Sequence, residues 1–195
     1  MKKRTKKDLV IGGRYLEPLD KEDIWLIKDW RNSRMDVLRQ NEPLTDEDQR
    51  KWLKKIKSDK NQRLFMVLHG KGRGAAKKIG YCGIVHMDQY NKRGELSILF
   101  DPSRENDTFG YRDDFISTLG LLCAEGFKEL GLHKLHAEIF EFRGDVMSYF
   151  KEFGMISEGV LREHQFKRGR YYDSVIYSML REEWVSSGKK AGLTE

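Results

Sequence analysis

The sequence predicts a mixed α/β fold in one domain: a twisted, mostly antiparallel sheet of about seven strands carrying about four helices. Three observations predict it. Apolar residues recur at helical spacing in several segments, short apolar runs bounded by Gly or Asn turns alternate with them, and no repeat or linker divides the 195 residues. "GRYLEPLD" (Gly13–Asp20) reads as a first strand. "DKEDIWLIKDWRNSRMDVLRQ" places Ile24, Ile27, Trp30 and Val37 or Leu38 along one helical stripe, and "LTDEDQRKWLKKIKS" opens a second helix with Thr45 as N-cap and Asp48 three residues on. Arg63–His69, Lys78–Asp88 and Arg93–Phe100 follow as an antiparallel meander. "RDDFISTLGLLCAEGFKEL" gives a third helix with Gly131 as C-cap, His133–Glu141 a strand, and Asp145–Phe153 a short helix stopped by Gly154. "ISEGVLREHQFKRGRYYDSVIYSMLR" reads as two strands joined by a tight "KRGR" turn.

The boundaries expected are a basic disordered tail over residues 1–12, a folded domain over 13–184 and a disordered C-terminal tail over 185–195. The net charge of +6 favours anionic ligands without identifying them. Much of the excess lies in "MKKRTKKD", which reads as a solvated tail; with no interleaved aromatics it gives no nucleic-acid-binding pattern. Two widely spaced cysteines, Cys82 and Cys123, read as reduced packing thiols of a cytoplasmic protein. No apolar run reaches the roughly 18 residues needed to span a membrane, so no membrane association is expected.

Several suggestive patterns lack the context their chemistry needs. "GKGRG" (Gly70–Gly74) precedes a strand, so no helix N-terminus completes a phosphate site, and it reads as a basic hairpin loop. His133 and His136 are joined by no Cys or His cluster, so no metal site is expected. No serine sits in a G-x-S-x-G elbow, which leaves covalent nucleophilic catalysis without support.

The segment from His133 to Leu180, with "ELGLHKL", "FKEFGM" and "EGVLREHQFKRGRYYD", resembles the GCN5-related N-acetyltransferase (GNAT) superfamily, in its ribosomal-protein alanine, spermidine and aminosugar-nucleotide branch. "IKDWRNSR" (Ile27–Arg34) and "RGELSIL" fall in the family's order, so the resemblance covers most of residues 13–184. It implies transfer of an acetyl group from acetyl-CoA, as cosubstrate, to a primary amine of a small molecule or a protein N-terminus, without a covalent enzyme intermediate or a metal. It also implies a V-shaped splay between the fourth and fifth strands, with the cofactor along Ser97, Ile98, Leu99 and Phe100 and its pyrophosphate at the start of the following helix. Arg104, Gly110, Tyr111, Arg112 and Arg143 complete the cofactor set so implied, and Trp30, Arg31 and Asn32 the acceptor set. Glu95 matches a strand carboxylate that contacts or deprotonates the amine; the other reading is a strand Glu that faces solvent or pairs with Arg93.

Two departures from the family's pattern stand out. The pyrophosphate motif falls on "GYRDDF" (Gly110–Phe115), which has one glycine, puts Asp113 and Asp114 at the expected helix start, and follows a segment about six residues longer than usual. There Arg104 and Arg112 are expected to turn inward and offset the acids. The family's thiolate-protonating Tyr is replaced by Phe150, leaving Tyr149 as the local candidate. The basic balance fits an anionic acceptor better than a polyamine. Two further possibilities stay open: a homodimer through the C-terminal strands, and a binding or regulatory protein of this fold without transferase activity.

Overall fold

A computed structural model describes residues 9–70 and 76–188. The order is β1 (Arg14–Pro18), α1 (Asp23–Ser33), α2 (Asp46–Ser58), β2 (Arg63–His69), β3 (Lys77–Asp88), β4 (Arg93–Phe100) and α3 (Thr108–Ala124). Then come β5 (Lys134–Phe140), α4 (Gly144–Phe153), β6 (Ile156–Lys167), β7 (Arg170–Leu180) and α5 (Arg181–Ser186). The seven strands form one sheet in the order β1-β2-β3-β4-β5-β7-β6, antiparallel except for the parallel pair β4–β5. This is the fold class expected. The "GKGRG" loop beyond Gly70 and the tails over 1–8 and 189–195 lie outside the described residues.

The central strands of the sheet are covered on both faces, so they sort alternate residues to opposite sides. Phe65 and Val67 of β2 join the larger core under α3, α4 and α5, while Met66 and Leu68 join a smaller core under α1 and α2. Along β4, Leu96, Ile98 and Phe100 face the larger core, so Glu95, Ser97 and Leu99 face the α1–α2 side. Along β5, Leu135, Ala137 and Ile139 take the core side, which turns His136 and Glu138 toward α1–α2 as well.

The Thr45–Asp48 capping box is present, each residue's backbone N–H donating to the other's side chain. Gly154 ends α4 in the left-handed conformation (φ 89°) that favours glycine. Other boundaries differ from the sequence expectation. Helix α1 stops at Ser33, short of Val37 and Leu38: Arg34 leaves helical geometry, and the Asn32 side chain is bonded to the Leu44 backbone N–H and C=O. Helix α3 starts at Thr108, capped by Asp107, so Asp113 and Asp114 lie in its second turn and not at its start. The domain edge placed at residue 184 falls within α5, which is anchored by Trp184, 2% exposed and packed on Phe127. No helix among the described residues is long and apolar enough to cross a membrane.

Candidate active site

Strands β4 and β5 pair only at Arg93–Lys134, Gly94–Leu135 and Glu95–His136. Beyond Glu95 they diverge, and the side of β4 that faced β5 opens onto a cleft of about 660 Å³. Glu95, Leu96, Ser97 and Ile98 line one wall and Glu138, Ile139 and Phe140 the other, with Arg143, Val146 and Phe150 at one end. Val37, Leu38 and Arg39, from the loop between α1 and α2, close it from above. A strand whose backbone groups are released from its neighbour in this way can hold an extended, amide-bearing ligand as a further strand.

Where the strands part, one nitrogen joins three side chains. Arg39 Nη2 donates to Glu95 Oε1 at 2.7 Å and to Glu138 Oε2 at 2.8 Å. The other Glu138 oxygen accepts from Ser174 Oγ at 2.8 Å and Gln165 Nε2 at 3.4 Å, with His164 Nε2 at 3.8 Å. Both carboxylates are mostly withdrawn from solvent, at 16% and 10% side-chain exposure, while Arg39 is 44% exposed. Burial works against the Arg39 charge, but Glu95 and Glu138 outweigh it and raise the guanidinium pKa. Burial lowers the pKa of the neighbouring His136, against the pull of Glu95, so it is neutral at pH 7.

The loop that carries Arg39 is tied down at its base. Lys167, at the β6–β7 turn and 8% exposed, donates to Gln40 O (2.7 Å), Asn41 Oδ1 (2.9 Å) and Met35 O (3.2 Å). A buried ammonium is tolerated where oxygens replace its lost water, as these three do. Burial still lowers its pKa, with Asp36 pulling the other way. Arg168 adds a 2.9 Å bond to Asp36.

A second cavity of about 340 Å³ shares Val37 and Arg143 with the first, so the two adjoin. Three guanidinium groups line it, Arg34, Arg143 and Arg168, together with Thr108 at the start of α3, Tyr111, Phe142 and Tyr149; Glu105 and Asp145 contribute the acids. Arg34 is paired with Glu105 and Asp36. The Arg143 side chain makes only a long hydrogen bond, 3.4 Å, to the Tyr111 hydroxyl among the described residues. Next to an open strand edge, this grouping suits an extended ligand that ends in phosphates.

The Acetyltransferase (GNAT) domain model matches residues 16–176, most of the chain. The chain belongs to the GNAT family. Among named relatives, it is 29% identical to the SPbeta prophage-derived uncharacterized N-acetyltransferase YokL of Bacillus subtilis, over 44% of this chain and 54% of that protein. It is 26% identical to the B. subtilis N-acetyltransferase YnaD, over 72% and 76% of the two chains. The chain spans little more than half the length of the first relatives matched, 54% and 57%. The spermidine N-acetyltransferase of Vibrio cholerae, solved with CoA and spermine, superposes with a TM-score of 0.79 at 21% identity, covering 89% of this chain and 98% of that one. Mutant forms of the spermidine/spermine N-acetyltransferase SpeG from the same organism give 0.77 at 20% identity, covering 91% and 99% of the two chains. At these identities the likeness establishes the fold.

Within this GNAT chain the residues singled out in the sequence fall into two groups. Glu95, Ser97, Ile98, Arg31 and Arg143 line the cleft, and Tyr111, Tyr149 and again Arg143 line the second cavity. Leu99 and Phe100 turn their side chains into the two cores. Trp30 is buried in the smaller core and Asn32 is consumed in holding the α1–α2 loop, so of the "WRN" element only Arg31 reaches the cleft. Arg31 there donates to the Tyr81 hydroxyl and to Gln40.

Arg104 turns inward to the fully buried Asp114, which it meets at 2.7 Å, while Arg112 pairs with Glu152 and Asp113 on the surface, and neither arginine lines the two cavities. Gly110 is closed off by its own neighbours: a Cβ there would collide with the Asp107 carboxylate. Tyr149 packs on Tyr111 and Phe115, its pKa raised by burial, and does not line the cleft that holds Glu95; Phe150 does. Sequence reasoning missed Arg39, Glu138 and Arg168. Glu138 had a signal, since it alternates with apolar residues in "HKLHAEIF" and so had to share a face with His136.

Proposed function

We propose that the protein transfers an acetyl group from acetyl-CoA to the primary amine of a small molecule. The observation that carries this reading is the β4 edge left open beyond Glu95, flooring a cleft that runs on into a cavity with three arginines. The acetyl-CoA thioester supplies the activated acyl group. Backbone groups of Leu96 to Ile98 hold the pantetheine arm as a strand, and Arg143 and Arg168 bind the pyrophosphate, with Arg34 able to exchange Glu105 for it. The open strand edge and the three arginines suit an extended ligand that ends in phosphates.

Glu95, at the point of the splay, takes the proton from the acceptor ammonium, directly or through one water, because an alkylamine near pKa 10 is mostly protonated at neutral pH. The neutral amine then attacks the thioester carbonyl, the C–S bond breaks and the thiolate leaves, while the attacking nitrogen gives up a second proton to water and becomes the amide nitrogen. With Phe150 in the cleft and Tyr149 outside it, water returns the thiolate proton.

A second reading, a GNAT-fold binding protein without turnover, has one observation in its favour. The α3 N-terminus, which offers free N–H groups to a ligand in a phosphate site, is capped here by Asp107 through Gly110 N. Titration calorimetry with CoA tests the cofactor half of the proposal. We expect one site per chain, weakened at least about tenfold by Arg143→Ala, the loss of one charge-assisted phosphate contact of roughly 1.5–3 kcal/mol. Affinity unchanged in that variant would remove Arg143 from the site.

A further inference from the structure

We infer that Arg39 is the resident occupant of the acceptor-ammonium subsite, which the Glu95 and Glu138 carboxylates form, and that the acceptor is a cationic alkylamine that must displace it. The identification of the displacing molecule as an acceptor rests on the acetyl-transfer reading; the occupancy of the carboxylate pair by Arg39 does not.

The geometry is that of a bound cation. A single Arg39 nitrogen, Nη2, sits 2.7 Å from one carboxylate and 2.8 Å from the other, at the point where β4 and β5 separate. An acceptor nitrogen has to reach this point to touch Glu95 from the cleft. Glu138 is fixed for the purpose by Ser174 and Gln165, which leave its Oε2 directed at Arg39. The pair is 16% and 10% exposed, so it is too desolvated to stand without a cation, and Arg39 serves as counter-ion while no acceptor is bound.

Arg39 is held by nothing else: its side-chain hydrogen bonds among the described residues go to these two acids alone. Its loop is fastened through Lys167 to Met35, Gln40 and Asn41, so the side chain can swing outward without the loop moving. Two carboxylates at the entrance repel an acceptor bearing an anionic group next to its nitrogen. They favour an alkylammonium, and most of all one with a second ammonium to meet the second carboxylate. The anionic acceptor expected from overall charge gives way to a cationic one, because the local charge at the splay is opposite in sign to the net charge.

A protein that occupies its own site binds ligand more weakly by the fraction of molecules that are open; for an open state of roughly 10% or less, that is at least about tenfold. Calorimetry on Arg39→Ala tests this with 1,3-diaminopropane and with propylguanidinium, the side chain that the substitution removes. We expect the diamine to bind Arg39→Ala at least about tenfold tighter than the unaltered protein. We also expect propylguanidinium to bind the variant one to one, and Glu138→Gln added to Arg39→Ala to abolish both.

Diamine binding that is unchanged or weaker in Arg39→Ala, or propylguanidinium that fails to bind it, overturns the inference. Arg39→Gln, which keeps much of the side chain's bulk without its charge, gives the same readout should the alanine variant fold poorly. CoA titrated into the same variants should bind as in the unaltered protein; failure of CoA binding in all of them would count against the acetyl-transfer reading and leave the Arg39 result to stand alone.

Discussion

Glu95→Gln should lower kcat by about 100- to 10,000-fold, the usual contribution of a positioned general base, while CoA affinity stays within about twofold. Gln keeps the size of the side chain and can still meet Arg39, but it cannot take a proton. The loss should shrink as the assay pH is raised toward the pKa of the acceptor amine, because solution then supplies the neutral amine that Glu95 otherwise generates. Steady-state kinetics over a range of pH, read beside calorimetry with CoA, separates this from a structural effect. An unchanged kcat would remove Glu95 from the mechanism and make it only a partner of Arg39.

Asp114→Ala should lower stability by about 3–5 kcal/mol, the range for removing one partner of a buried ion pair. The Asp114 side chain is fully buried and is gripped from two sides, by Arg14 at 2.8 Å and Arg104 at 2.7 Å. Arg14 is on β1 and Arg104 in the turn before α3, so the carboxylate fastens the sheet edge, the helix and the β4–α3 connection together. Without it, two guanidinium groups are left in a site 11% and 21% exposed at their side chains. Thermal unfolding should register a fall in Tm on the order of 10 °C for a chain of this size. A fall of less than about 2 °C would mean that the arginines find water or other acceptors, and that the cluster adds little to stability.

This pair of residues also shows where the sequence misled. Asp113 and Asp114 were expected at a helix start because the family's pyrophosphate motif falls on "GYRDDF" (Gly110–Phe115). The start is set six residues earlier by Asp107, which accepts from the Gly110 N–H. Capping is local and legible once the register is known; the partners of Asp114 are 100 and 10 residues away and are not.

The same division runs through the site. The seven strands were legible from their patterning and turns, and the splay between β4 and β5 from the family resemblance. Arg39, in "VLRQNEP", was not: no periodicity constrains that loop, and much of what fixes where it lies comes from Lys167 and Arg168, far along the chain at the β6–β7 turn. The resemblance put Arg104 and Arg112 at the phosphates; in the structure Arg104 meets Asp114, and Arg112 meets Glu152 and Asp113, contacts that no local pattern announces.

The most direct test of acetyl transfer at the β4–β5 splay is thiol release from acetyl-CoA, measured over a panel of diamines, polyamines, amino sugars, nucleotide-linked sugars, amino acids and N-terminal peptides. The predicted result is release that depends on the amine, strongest with cationic alkylamines, with an acetylated amine formed in equal amount and turnover lost in Glu95→Gln. CoA binding with no amine-dependent release from any class would contradict it and leave a GNAT fold that binds without turning over.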